Sequence, residues 1–438
     1  MLKPVQVGIL GLGTVGGGTV HVLQKNAKEI ARRAGRGIVI THACAREVNK
    51  SHSYSTDDIV LTKDLTEVVN NPEVEIVIEL LGGTTIARDM ILQAIANGKH
   101  VVTANKALIA HHGNEIFAAA QEKGVIVAFE AAVAGGIPII KAIREGLAGN
   151  QIEWIAGIIN GTSNFILTEM RDKGSLFADV LAEAQSLGYA EKDPTFDIEG
   201  VDAAHKLTIL GSIAFGIPLQ FDQVYMEGIT NITPEDVQYA EELGYRIKHL
   251  GITKRNEEGV EMRVHPTLIP NKRLLANVEG VMNAVVVDSD ALGPSLYYGA
   301  GAGALPTGSA IIADLVEITR SLTTDPSNRV PHLAFQANAL SNLRILPIEE
   351  IKTAYYLRLS VLDKMGILAD VTNLLSDNGI NIEAIIQKEP IAGVEHVSIV
   401  MLTHKVREKQ MNQAITAIEQ LYGITGKVAR IRLETLDS

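Results

Sequence analysis

Five short β-branched runs, "VQVGIL", "IVITHAC", "EIVIEL", "HVVTAN" and "VIVAFE", recur between residues 5 and 130, with amphipathic stretches such as 86–97 and 114–123 between them. Strands that alternate with helices in this way form a parallel sheet covered by helices on both faces. The turn after the first run reads "GLGTVG". A strand before it and a helix after it make this spacing a dinucleotide fingerprint rather than a chance repeat of glycines. Gly11 permits the tight turn, Gly13 lets the backbone approach a pyrophosphate, and Gly16 allows the helix to pack closely on the strand. Thr14 and Val15 lie between them, at the helix N-terminus where phosphates bind.

The end of the second run decides which dinucleotide. An enzyme using NAD places a carboxylate there for the ribose 2′-hydroxyl, whereas this chain reads "ACAREVNK". Arg46 stands where the acid is expected and Lys50 follows, so the cofactor is expected to be NADP(H). Glu47 beside Arg46 keeps NAD(H) usable.

Beyond residue 150 the rhythm changes. A strand-like "QIEWIAGIIN" precedes several helices, and the long runs Tyr245 to Thr253 and Val260 to Ile269 are joined by "NEEG" as a hairpin. This is an α+β region. The longest uncharged stretch, Ala291 to Ala313, is broken by Pro294, Pro306 and several glycines, and reads as a loop plus a buried helix rather than a membrane span. From about residue 354 the pattern is strand, helix (366–378), strand, strand, helix (407–421), strand. That βαββαβ order is ferredoxin-like.

Charge and thiols narrow the function classes. A formal net charge of -12, with no Lys/Arg-rich run, argues against a nucleic-acid partner. The single cysteine, Cys44, excludes an internal disulfide framework and reads as a buried structural thiol in a cytoplasmic protein. The glycines near the N-terminus break any signal-peptide core.

The segment "GYAEKDPTFDIEGVDAAHK" crowds Glu191, Asp193, Asp197, Glu199 and Asp202 around Lys192 and ends on Lys206. Asp202 and Lys206 could be a surface pair one helical turn apart. The next fifteen residues, "LTILGSIAFGIPLQF", carry no charge, so the helix enters the core and takes the pair with it. A desolvated lysine there suits proton donation, and an acid one turn away suits a substrate amine. Glu191 is expected to face inward with them. Asp193 and Glu199 read as solvated or capping groups, while Asp197 reads equally as a cap or a substrate contact. Lys106, in "VVTANKAL", follows a strand directly and so lies at the carboxyl edge of the sheet.

Taken together, "GILGLGTVG", "VVTANKAL", "EAAVAGGIP", "INGTSNFIL" and "GYAEKDPTFDIEGVDAAHK" resemble homoserine dehydrogenase, and the C-terminal unit resembles an ACT domain. The resemblance covers essentially the whole chain. It implies a Rossmann-type dinucleotide-binding domain over 1–135, to which the helix 305–320 can return. It further implies a catalytic and oligomerisation domain over 136–335 and an ACT regulatory domain over 350–438. The implied activity is NAD(P)-dependent interconversion of L-aspartate 4-semialdehyde and L-homoserine, on the route to threonine, methionine and isoleucine.

Residue by residue, the resemblance makes Lys206 the proton donor and places Lys106 near nicotinamide and substrate. Glu191, Asp202, Asp197, Gly161, Thr162 and Tyr189 match substrate contacts. Thr84 and Gly303 are assigned to the cofactor. Glu130, Val133, Gly135 and Ile137 match the family's sodium site, which takes backbone oxygens. Threonine is the implied effector, bound between ACT units paired in a homo-oligomer. Deleting the chain after about residue 350 is therefore expected to keep activity and abolish inhibition.

Two rivals make different demands. An aldehyde-oxidising semialdehyde dehydrogenase needs a cysteine nucleophile, and the substrate region has none. A non-catalytic amino-acid and nucleotide sensor would use the same units for binding alone and would not need a buried Lys206.

Overall fold

A computed structural model describes residues 2–47, 54–388 and 396–437. The chain packs as two compact units. The first gathers Met1–Ile155, Ala204–Asp222 and Met282–Leu343; the second gathers Ala156–Ala203, Gln223–Val281 and Arg344–Ser438.

In the first unit the alternation of the sequence becomes a six-stranded sheet. Its strands are β1 (Val5–Leu10), β2 (Ile38–Cys44), β3 (Val60–Thr62), β4 (Ile76–Glu79), β5 (His100–Thr103) and β6 (Val127–Ala128). They lie in the order β3-β2-β1-β4-β5-β6, and every neighbouring pair is parallel. The order reverses between β1 and β4, so a crevice opens at their carboxyl ends. β3 was not legible in the sequence because it is only three residues long and half exposed.

The helix Ala304–Ser321 packs on the helix Thr14–Lys25. A Cβ on Gly18 would lie 2.1 Å from the Ala304 carbonyl oxygen, so the two backbones touch. Ile311, Leu315 and Ile318 of that helix share a core with Val5, Val7 and Ile9. The loop expected ahead of it is in part a strand. Ser295–Ala300 pairs antiparallel with Met282–Ser289, from Ser295 opposite Val287 to Ala300 opposite Met282. Glycines at 293, 299, 301 and 303 hid it, since glycine reads as a loop signal in isolation. No helix among the described residues is long and apolar enough to cross a membrane.

In the second unit the strands Tyr245–Asn256 and Gly259–Pro270 form the expected hairpin, Gly259 facing Asn256. The sheet continues from Gly259–Pro270 through Ile424–Leu433, Lys352–Leu362 and His396–Thr403 to Ile382–Gln387. The last four strands, with helices Ile367–Asp377 and Glu408–Ile418, make the ferredoxin-like βαββαβ unit. It packs on the rest of the second unit rather than standing apart from it. Ile424–Leu433 pairs parallel with Gly259–Pro270, and Ala354, Tyr356, Val400 and Ile431 share one core with Ile247, Leu268 and Tyr239. Sequence periodicity shows that a strand has an apolar face but not which neighbour covers it.

Candidate active site

At the sheet's carboxyl edge Gly11 adopts φ 106, open to glycine only, and a Cβ on Gly16 would sit 2.2 Å from the Gly11 carbonyl oxygen. A Cβ on Gly13 would meet nothing within 4 Å, and no side chain caps the helix that follows it. The turn is therefore tight inside and open outside, leaving backbone amides for an anion. A cleft of about 580 Å³ adjoins it, lined by Gly11 and Gly13, by Arg46, Glu47 and Lys63 at one wall, and by Leu80, Leu81 and Gly82 at another. These residues fit a dinucleotide. Arg46 stands in the wall as the sequence suggested, whereas Lys50 lies outside the described residues.

The second wall is fixed from below. Glu79, fully buried at the end of β4, accepts from Leu81 N at 2.7 Å and from the Thr103 hydroxyl at 2.7 Å. Burial pushes its carboxyl up from the usual range, against the pull of those hydrogen bonds. Asn105 lies just beyond β5 and caps the next helix: its oxygen accepts from Leu108 N at 3.1 Å and its nitrogen donates to the Gly83 carbonyl at 2.7 Å. Lys106, the first residue of that helix, is half-buried at the same edge. Thr84 starts the helix Thr85–Ala96 beside this wall, and Gly303 (φ 119) starts Ala304–Ser321.

The charge-poor helix runs from Val201 to Phe215 and stops at Gly216, φ 61. It is buried as expected. Asp202 is 4% exposed and Lys206 8%, four residues apart on this one helix.

In the second unit the other substrate candidates gather around the helix Gly161–Lys173. A Cβ on Gly161 would lie 2.7 Å from the Val281 carbonyl oxygen. The Thr162 hydroxyl donates to the Tyr189 carbonyl at 2.7 Å, and the Tyr189 ring meets Phe165 edge-on at 5.1 Å. Asn160 Nδ2 donates to Asp197 at 2.7 Å and to Asp202 at 2.9 Å. Asp193 is exposed and accepts from Thr195 N at 3.1 Å, a capping role. Glu191 is exposed, on a loop whose carbonyls at 191 and 192 accept from the Gln185 amide. Asn160 and Lys63 escaped sequence reading. Asn160 immediately precedes the "GTSN" of the recognised motif, and Lys63 follows a strand too short to see.

The "EAAVAGGIP" turn is buried in the first unit. The Glu130 carboxylate accepts from Ile140 N and Lys141 N at 2.9 Å each, and Glu130 N donates to Asp314 at 2.9 Å. Burial, with Asp314 beside it, pushes the Glu130 carboxyl up to about 7, and Lys141 pulls the other way. Its side chain is thus committed to the chain itself. Any cation here must use backbone oxygens, and the turn offers hard ones: Ala134 and Gly135 are both left-handed, φ 53 and 52, which swings successive carbonyls around.

Family models for homoserine dehydrogenase match residues 138–316, for its NAD-binding domain residues 11–130, and for the ACT domain residues 355–421. The homoserine dehydrogenase of Pseudomonas aeruginosa is 63% identical over 436 residues, covering 100% of both chains. The chain belongs to the homoserine dehydrogenase family. A crystal structure of a homoserine dehydrogenase from Thiobacillus denitrificans superposes with a TM-score of 0.95 at 63% identity, covering 99% of each chain. A hyperthermophilic archaeal homoserine dehydrogenase in complex with NADPH matches 72% of this chain and 98% of its own, with a TM-score of 0.61 at 27% identity. Membership in the homoserine dehydrogenase family makes the chain an NAD(P)-dependent oxidoreductase acting between L-aspartate 4-semialdehyde and L-homoserine. The sensor reading fails, because the catalytic model matches and the enzymes match over their full length.

Proposed function

We propose that Lys206 is the proton donor of this homoserine dehydrogenase and Asp202 its principal anchor for the substrate ammonium. The observation carrying this reading is the pair itself: two opposite charges one turn apart on a buried helix otherwise free of charge between Leu207 and Phe221. A nicotinamide dinucleotide, with its pyrophosphate at the Gly11 and Gly13 turn, would supply the hydride chemistry. Lys206 gives its proton to the oxygen that becomes the homoserine hydroxyl, directly or through a water. Lys106, at the carboxyl edge of β5, stabilises the negative charge on that oxygen. Asp197 and Glu191 join Asp202 in binding the amine, and Gly161, Thr162 and Tyr189 shape the substrate's surroundings. Assay of NADPH oxidation with aspartate 4-semialdehyde tests the reading, together with Asp202→Ala. That variant is expected to raise the KM for homoserine strongly; an unchanged KM rejects Asp202 as the anchor.

Finer assignments follow from the same site. Arg46 in the cleft wall, with Lys63 beside it, favours NADP(H) over NAD(H). Sodium at the backbone oxygens of Glu130, Val133, Gly135 and Ile137 would hold the turn in place; replacing sodium by a bulky organic cation at constant ionic strength tests it through thermal stability. Threonine as effector, a homo-oligomer built through paired ACT units and a cytoplasmic location complete the proposal. The pairing is supported by the strand Ile382–Gln387, which ends the sheet among the described residues and exposes Ile385.

A further inference from the structure

Asn160 joins three segments of the second unit. Its side-chain oxygen accepts from Ser163 N at 2.8 Å and caps the helix Gly161–Lys173. Its side-chain nitrogen donates to Asp197 Oδ1 at 2.7 Å and to Asp202 Oδ2 at 2.9 Å. The orientation is determined by chemistry. Turned over, the amide would aim its oxygen at two carboxylates and its hydrogens at a backbone N–H. Both amide hydrogens are therefore committed to the acids, and Asn160 is 6% exposed, away from competing water. Asp197 is held from its other side as well, its backbone carbonyl accepting from the Ser163 hydroxyl at 3.0 Å.

A site that captures an ammonium group needs its carboxylates ionised and steady, yet two carboxylates brought together resist ionising together. A neutral amide relieves part of that repulsion while leaving the negative charge in place.

We propose that Asn160 is a positioning residue that holds Asp202 and Asp197 as an oriented pair for the substrate ammonium, acting through them rather than on the reacting atoms. This rests on the reading of Asp202 as the amine anchor.

The test is steady-state kinetics of the full-length enzyme in the homoserine-oxidising direction. Asn160→Ser keeps an oxygen able to cap the helix and removes the two donated hydrogen bonds. It is expected to raise the KM for homoserine about ten- to a hundredfold, the effect of a lost hydrogen bond to a charged group. kcat should stay within about threefold, with an unchanged KM for the dinucleotide. Asn160→Asp, which keeps shape and cap but adds a third carboxylate, should raise KM at least as much. If Asn160→Ser leaves KM unaltered, lowers only kcat, or fails to fold while Asp202→Asn raises KM, then Asn160 is a helix cap alone and the proposal is overturned. If Asp202→Asn also leaves KM unaltered, the anchor reading itself has failed.

Discussion

The buried guanidinium of Arg432 donates to Glu227 Oε2 at 2.8 Å. Arg432 belongs to the last strand of the ferredoxin-like unit, whereas Glu227 follows the short strand Tyr225–Met226. Arg432 also pairs with Glu408, its Nε donating at 2.7 Å. Burial works against ionised Glu227, but the Arg432 charge outweighs it and holds the carboxyl below its usual range. Removing one partner leaves the others as uncompensated buried charge. Arg432→Met is therefore expected to cost about 3 to 5 kcal/mol, read as a lower midpoint in urea unfolding. A midpoint within error of the wild type would show that the network contributes nothing net.

The same packing reverses the expectation for truncation. Ending the chain near residue 350 would bare the edge of Gly259–Pro270 and the core around Ile247 and Leu268. The truncated protein should aggregate rather than survive as an active, desensitised enzyme. Threonine regulation is better tested at Gly366, which starts the helix Ile367–Asp377 at φ 97. Gly366→Val strains that turn. Inhibition by threonine should weaken while uninhibited turnover stays near wild type; equal sensitivity would place the effector elsewhere.

Lys206→Ala is expected to lower kcat by roughly 10² to 10⁴, as for loss of a general acid, with NADPH affinity nearly unchanged. Single-turnover rates and a fluorescence titration of NADPH separate the two effects. Near-normal turnover would remove Lys206 from the mechanism.

Arg46 should carry cofactor preference. Arg46→Ala is expected to reduce kcat/KM for NADPH by about tenfold or more, the value of a charge-assisted contact to phosphate, while changing that for NADH little. A parallel loss with both cofactors would mean that Arg46 serves the cleft wall and not the 2′-phosphate.

Stability should depend on pH through buried groups of opposite sign. Burial, more than any neighbouring charge, depresses His100, His249 and His332 to about 4 from an ordinary 6.5. Their contribution is complete above pH 6.5 and is lost as pH falls through about 4. Glu130, raised to about 7 from 4.5, contributes stability in full below pH 4.5 and loses it as pH rises through 7. Each group changes the slope by about 1.4 kcal/mol per pH unit at most, so between pH 4.5 and 6.5 Glu130 offsets about that much of the rise that the histidines give. Glu130→Gln should steepen that rise. Thermal scans across the window check it; an identical slope in the variant would refute the raised Glu130 carboxyl.

The sequence alone determined the alternating sheet, the glycine turn, the buried helix bearing Asp202 and Lys206, and the βαββαβ order of the C-terminal unit. Each is written in local periodicity or in the conformational needs of particular residues, which a chain carries without its partners. The strand Ser295–Ala300 was hidden because Gly299 and the glycines flanking the strand are loop signals until the partner Met282–Ser289 supplies hydrogen bonds. Tertiary structure alone decided that Glu191 is exposed, that Lys63 joins Arg46 at the cleft, and that the C-terminal strands share a core with the hairpin of the second unit. It also decided that Asn160, separated from Asp197 by 37 positions, donates to it at 2.7 Å. Such contacts depend on where distant segments meet. That is set by the packing of whole elements, so no local pattern encodes it.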